Sequence, residues 1–257
     1  MKYAIGIDIG GTNTKLGLVE LSGKVLAHDR FNTPDYKTFE SYVEMLSSRI
    51  KAMMDNSNGE CMGIGIGAPN GNFYKGSIDN APNLPFGKGE FMLVRDLRNR
   101  FGLHHIYMTN DANAAAYGEL LAGAGKGCKN FVAVTLGTGV GSGIIINGKI
   151  LTGSNFAGAE VGHTYLIAGG EKCSCGNCGC FEAYASATAL KRQTARAMKE
   201  HPDSLMWKIA KSPEQVDGRT AFDAMRKNDK AGKEVVDNYI RYVAAGIVNI
   251  INIFQPE

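Results

Sequence analysis

The sequence has no apolar run approaching the roughly 18 residues that a membrane-spanning helix needs. No membrane span is therefore expected. The start, MKYAIGIDIGGT, has no basic segment followed by a long apolar stretch and a cleavage site. It reads as a strand and a glycine turn, so no secretory leader is expected and the expected setting is the reducing cytoplasm. Charge of one sign is lacking too. Lys and Arg number 28 against 25 Asp and Glu, a net +3 in 257 residues, which gives no warrant for binding nucleic acid or an anionic membrane. Nor is there a low-complexity linker. Cysteine is scarce, with six in all, yet four fall within CSCGNCGC at 173–180. In a reducing compartment such crowding points to metal or redox chemistry rather than structural disulfides.

What is present suits a globular α/β protein of one large or two ordinary domains, with 44% hydrophobic residues to build a core. YAIGIDI (3–9), TKLGLVE (14–20) and KVLAHDRF (24–31) read as three strands in a meander. Phe39, Tyr42, Val43, Leu46, Ile50 and Met53 recur at helical spacing and predict a helix over 37–55. A glycine-rich strand (61–67) and a long irregular loop with Pro69, Pro82, Pro85 and Gly87 (68–90) follow. Then come a helix (91–101), a strand (105–109) and an alanine-rich helix (110–124) with Asn110 and Asp111 at its mouth. Strands at 131–137 and 141–148 open the second half, and helices follow the cysteines. The last is long, with Val236, Tyr239, Ile240, Val243, Ile247, Ile251 and Phe254 on one stripe, ending before Pro256.

DIGGTNTKLGLV (8–19) and TLGTGVGSGIII (135–146) share a layout of strand, Gly/Thr turn and returning strand. Two such hairpins suggest a duplicated α/β unit, although two unrelated tight hairpins would look the same. Turns of this composition let backbone N–H groups approach an anion, and Asp8 is placed to hold a magnesium ion through water. Other nucleotide signatures are missing. Gly143 to Lys149 has P-loop spacing, but Ile150 stands where Ser or Thr should bind magnesium, and no G-x-G-x-x-G opens a helix after the first strand. Asp111 is the best candidate base, at a helix N-terminus after a strand. Asp is also a common helix cap, a duty the adjacent Asn110 is able to fill instead.

For the cysteines, zinc is favoured over a redox pair or an iron–sulfur cluster, because no electron partner or cofactor motif is visible. His163, Cys173, Cys175, Cys178 and Cys180 are five candidates for four places. Cys175-x-x-Cys178 is the commoner knuckle spacing and favours an all-cysteine site, so spacing alone does not choose.

Together these segments resemble the ROK family of sugar kinases and repressors. DIGGTNTK and TLGTGVGSG look like its two phosphate motifs, and AGAEVGH (157–163) and CSCGNCGCFE (173–182) like its two signature stretches. APNL (81–84) and NDANAAAYGE (110–119) are similar to its sugar-binding and catalytic segments. The resemblance implies the actin-like, ribonuclease-H-like duplicated α/β fold, two α/β domains around a central cleft, here expected at 1–115 and 116–257. It implies transfer of a phosphoryl group from ATP to the 6-hydroxyl of a hexose. Glucose is the first choice, with fructose, N-acetylglucosamine and N-acetylmannosamine as alternatives.

By position, the resemblance makes Asp111 the general base. Asn83, Asn110, Asp111, Glu160, His163 and Glu182 become sugar contacts. Asp8 with Gly10, Gly11, Thr12, Asn13, Thr14 and Lys15, and Gly137, Thr138, Gly139 and Gly141, become the holders of ATP and Mg²⁺. Structural Zn²⁺ falls to His163, Cys173, Cys175 and Cys180, leaving Cys178 spare. A homodimer is also implied. Related chains usually continue past a point like NIFQPE, so the family's C-terminal segment is expected to be missing. Phe86 stands where a tryptophan is common. The family's repressors carry a helix-turn-helix before the first strand, whereas this sequence starts at that strand. A regulator, or a zinc protein that binds sugar without catalysis, is the alternative function.

Overall fold

A computed structural model describes residues 1–154 and 158–257. Ala157, the first residue of AGAEVGH, lies outside the described residues. The chain divides into two compact units, Met1–Cys128 and Lys129–Glu257.

The first unit is built on a five-stranded sheet. Its strands are β1 (Lys2–Ile9), β2 (Asn13–Glu20) and β3 (Val25–Asn32), then, after helix α1 (Phe39–Asp55), β4 (Glu60–Ala68). Three short strands follow, β5 (Gly71–Asn72), β6 (Ser77–Asp79) and β7 (Glu90–Phe91), then α2 (Leu93–Phe101), β8 (Ile106–Asn110) and α3 (Asp111–Ala122). The sheet order is β3-β2-β1-β4-β8, antiparallel from β3 to β1 and parallel from β1 to β8. Period-two alternation buries Tyr3, Ile5, Ile7 and Ile9 of β1 and Leu16 and Leu18 of β2. Against them pack Tyr42, Leu46 and Ile50 of α1 and Leu93 and Leu97 of α2. Thr38 caps α1, its side chain accepting from the Ser41 amide. Gly102, left-handed at φ 65°, ends α2.

Residues 68–90 were expected to be irregular. The structure instead pairs β5, β6 and β7 into a small antiparallel sheet. Pro69 precedes β5, and Pro82 and Pro85 lie between β6 and β7, so none of them obstructs the pairing. Phe86 is embedded in an aromatic cluster with Phe39, Tyr42 and Phe91 at centroid separations of 5.0 to 5.6 Å. The expected boundary at 115/116 falls inside α3. The division comes after this helix, whose backbone bonds keep it one piece.

The second unit opens with β9 (Phe131–Leu136), β10 (Val140–Ile146) and β11 (Lys149–Ile150), an antiparallel sheet in the order β11-β10-β9. That repeats the β3-β2-β1 meander, and the two glycine-turn sequences are the β1–β2 and β9–β10 hairpins. A 3₁₀ turn at Val161–His163 and the cysteine loop precede α4 (Glu182–Ala185), α5 (Ala187–Glu200), α6 (Met206–Ala210), α7 (Thr220–Arg226) and α8 (Lys230–Phe254). Leu190, Met198, Met206, Val235 and Val236 form one helical core, and Val140, Ile144, Phe181 and Ile250 another.

The expected stripe on α8 is half right. Val236 is buried, and Tyr239, Val243 and Phe254 pack on the cores, but Ile240, Ile247 and Ile251 are exposed. Gly246 lies against the Phe181 ring instead, so the inward face of the helix is lined partly by a residue with no side chain. Hydrophobic periodicity cannot detect such a contact. Among the described residues no helix is long and apolar enough to cross a membrane.

Candidate functional site

In the first unit, β1 delivers Asp8 to the first glycine turn. Asp8 faces Lys15 across the hairpin at 3.6 Å, both well exposed, an ion pair that contributes little to stability. The Gly10 N–H donates to the Asn13 carbonyl at 3.0 Å and closes the turn. A Cβ on Gly11 would lie 2.6 Å from the Asn83 carbonyl oxygen, so only glycine lets the APNL segment pass this close. Thr12 is exposed and Asn13 half-buried. Thr14 differs. It shares the inward face of β2 with Leu16 and Leu18, and its hydroxyl is fully buried between Thr33 Oγ1 (3.0 Å) and Tyr42 Oη (2.9 Å). Only its backbone is left to face the turn. Burial pushes the Tyr42 phenol well above its ordinary range.

Asn110 ends β8 and caps α3. Its side chain accepts from the Ala112 amide at 2.8 Å and the Asn113 amide at 3.4 Å. Asp111 is thus not needed as the cap, although its Oδ1 also lies 2.8 Å from the Ala112 N–H. The residue keeps an exposed edge. Desolvation of its carboxyl and then the charge of Asp8 raise its pKa above the usual carboxylate value, against the opposing Ala112 bond. A helix N-terminus alone would have lowered it. Asn113, which sequence reasoning passed over, is buried, and its Oδ1 meets no donor among the described residues. The available signal was its position three residues after the cap, on the same helix face as Asn110.

In the second unit, residues 137–139 link β9 to β10. The Gly137 N–H donates to the Gly139 carbonyl at 2.9 Å, and Gly137 and Thr138 are exposed. Glu160 is exposed and precedes the 3₁₀ turn, its carbonyl accepting from the His163 amide. One ligand atom each from His163, Cys173, Cys175 and Cys180 lies within 4.8 Å of the others. Cys175 Sγ is 3.6 Å from Cys180 Sγ, and Cys173 Sγ is 3.7 Å from His163 Nδ1. A tetrahedron with Zn–S near 2.3 Å has edges of about 3.8 Å, so the donor set and its spacing fit that ion. All six cysteines are free. Burial, then contacts with the other two thiols, pushes the Cys180 thiol up to about 12. A bound dication would reverse that by replacing the proton. Cys178 is exposed, forms a β-bridge with Lys172 and lies outside the group.

Glu182 is half-buried beside this loop. Its Oε1 accepts from Ser174 Oγ at 2.8 Å and from Cys173 Sγ at 3.5 Å, while Oε2 accepts from the Val140 N–H at 3.0 Å. The first unit therefore assembles Asp8, residues 10–15 and Asn83, with Asn110 and Asp111 at the start of α3. The second assembles the 137–141 turn, His163, the three cysteines and Glu182.

The ROK family model matches residues 4–257. The chain belongs to the ROK family. A glucokinase from Thermotoga maritima is 37% identical over 98% of this chain and 79% of its own length. A ROK-family glucokinase from Streptomyces griseus, solved with glucose and AMPPNP, superposes with a TM-score of 0.82 at 31% identity, covering 99% of this chain and 80% of that one. Among repressors, a xylose repressor from Bacillus spizizenii is 32% identical over 99% of this chain and 62% of its own length. The mixed α/β architecture is that of ROK kinases, the actin-like ATPase fold.

Proposed function

We propose that this ROK protein is an ATP-dependent hexose kinase acting on the 6-hydroxyl, with glucose as the first acceptor to test. The observation that carries the reading is Asp111, a carboxyl of raised pKa at the start of α3, within electrostatic reach of Asp8 beside the first glycine turn. The family membership and the likeness to glucokinases support it.

Phosphoryl transfer is mostly positioning and charge stabilisation. Asp111 would accept the proton of the attacking hydroxyl, and a raised pKa makes it a better base at neutral pH. Asn83, Asn110, Glu160, His163 and Glu182 would hold the remaining hydroxyls. The N–H groups of Gly11, Thr12, Thr138 and Gly139 would cradle phosphates, with Asp8 holding magnesium through water. Mg²⁺ supplies neutralisation of phosphate charge when bound. Zinc on His163, Cys173, Cys175 and Cys180 would have no open position, so its contribution is to fix the imidazole and the loop. A cytoplasmic setting and a homodimer belong to the same reading. Light scattering tests the second.

The deciding experiment is a coupled assay of ATP consumption over glucose, fructose, N-acetylglucosamine and N-acetylmannosamine. Turnover with a hexose, lost in Asp111→Ala while sugar binding survives, supports the kinase. Near-wild-type kcat in that variant removes Asp111 as the base. The similarity to xylose repressors gives the second reading, a sugar-binding regulator. Sugar binding with no ATP consumption would establish that alternative.

A further inference from the structure

Val140, the first residue of β10, is gripped from both sides by the segments that carry the metal ligands. On one side a side chain at Gly162 would collide with the Val140 carbonyl, so the 3₁₀ turn ending at His163 lies directly on the strand. The next-but-one residue, Ser142, holds the same segment. Its hydroxyl donates to the Ala159 carbonyl and accepts from the Val161 N–H at 3.3 Å. On the other side Glu182, two residues after Cys180, accepts the Val140 N–H. The chain then continues along the turn. The Ala187 N–H donates to the Gly137 carbonyl at 2.8 Å, and Thr188 Oγ1 donates to the Thr138 carbonyl at 2.8 Å. The two arms are joined where His163 meets Cys173, Cys175 and Cys180.

We infer that the metal loop is a clasp on the second glycine turn, so that metal occupancy sets the affinity for the nucleotide phosphates, with Ser174, Glu182 and Thr188 as its positioning residues. This rests on the kinase reading, which makes 137–141 a phosphate turn. An anion site built from backbone N–H groups works only if those groups are held in place before the ligand arrives. The β9–β10 ladder anchors Val140 and Gly141, but among the described residues the exposed tip at 137–139 has only the Gly137-to-Gly139 bond within itself. Further restraint on the tip comes from residues 182–188, which start two positions after a metal ligand and bond to Gly137, Thr138 and Val140. Without the ion, three thiols and an imidazole lose their common tie, and Glu182 loses the fixed loop against which Ser174 holds it.

The test uses the full chain, zinc-loaded and zinc-stripped, with AMPPNP as probe. Hydrogen exchange at residues 137–141 reads the clasp directly, and calorimetry reads the affinity. Stripping is expected to speed exchange of the Val140 amide by about tenfold or more and to weaken AMPPNP binding. Thr188→Val, which touches no metal ligand, is expected to keep one zinc per chain and weaken AMPPNP about fivefold, as for one hydrogen bond of about 1 kcal/mol, with rescue by Thr188→Ser. Ser174→Ala is expected to speed Val140 exchange with zinc retained. Should stripping unfold the unit, these two variants still decide. Wild-type AMPPNP affinity in Thr188→Val, or unchanged Val140 exchange in Ser174→Ala, would overturn the clasp while leaving the kinase reading standing. Failure of the wild-type, zinc-loaded chain to bind AMPPNP overturns both.

Discussion

Thr14→Val separates two roles for one residue. The sequence groups Thr14 with the phosphate-binding turn, but the structure turns its hydroxyl into the core against Thr33 and Tyr42. Valine keeps the shape and removes the oxygen. Two buried hydroxyls then lose their shared partner, each at a cost of about 1–3 kcal/mol. Tyr42→Phe is the control, because it removes one bond and leaves Thr14 with Thr33, costing about 1 kcal/mol. At this chain size each kcal/mol shifts the midpoint by about 2–4 °C. Thr14→Val is therefore expected to melt below Tyr42→Phe, which melts below wild type, in both thermal and urea titrations followed by circular dichroism. The double variant should fall well short of the sum, because the residues share a network. If Thr14→Val has wild-type stability but reduced AMPPNP affinity, the hydroxyl serves the ligand and the reasoning fails.

Asp111→Asn should trade activity for stability. A folded pKa raised above the unfolded one means the charged form costs stability at neutral pH. The variant should then be more stable than wild type at pH 7, and the gain should vanish as pH falls below about 3.9, the ordinary Asp value. Equal urea midpoints at pH 7 would contradict this. Asp229 caps α8 through Gly232 and also accepts from Leu205 and Ser204. Burial raises its pKa, but these bonds outweigh it and the net shift is downward. Asp229→Ala should cost about 1–2 kcal/mol at pH 7, and the difference should close as acid protonates the wild-type carboxylate. A difference that persists at low pH would show another origin. Cys178→Ser should keep its zinc and Cys175→Ser should lose it, as read by elemental analysis. Loss of zinc in both variants would restore the all-cysteine knuckle.

Much of this molecule was legible from spacing. Alternating Tyr3, Ile5, Ile7 and Ile9 defined β1, and the repeat of Tyr42, Leu46 and Ile50 defined α1, because burial on one face imposes a period. The cysteine group and the two glycine hairpins were visible because their residues are close along the chain. The short strands of 68–90 were not, since two- and three-residue pairings leave no periodicity to read.

Local pattern by itself determined the longer strands and helices, the turn chemistry and the set of five metal-ligand candidates. Only the tertiary structure decided that Thr14 points inward, that Cys178 stays outside the ligand group, and that Gly246 rather than an isoleucine faces Phe181. It also brought Glu182 to Val140 across 42 positions. Backbone preference and hydrophobic period act over a few residues. Which polar atom finds which partner across dozens of residues depends on how elements pack, and no neighbouring residue carries that information.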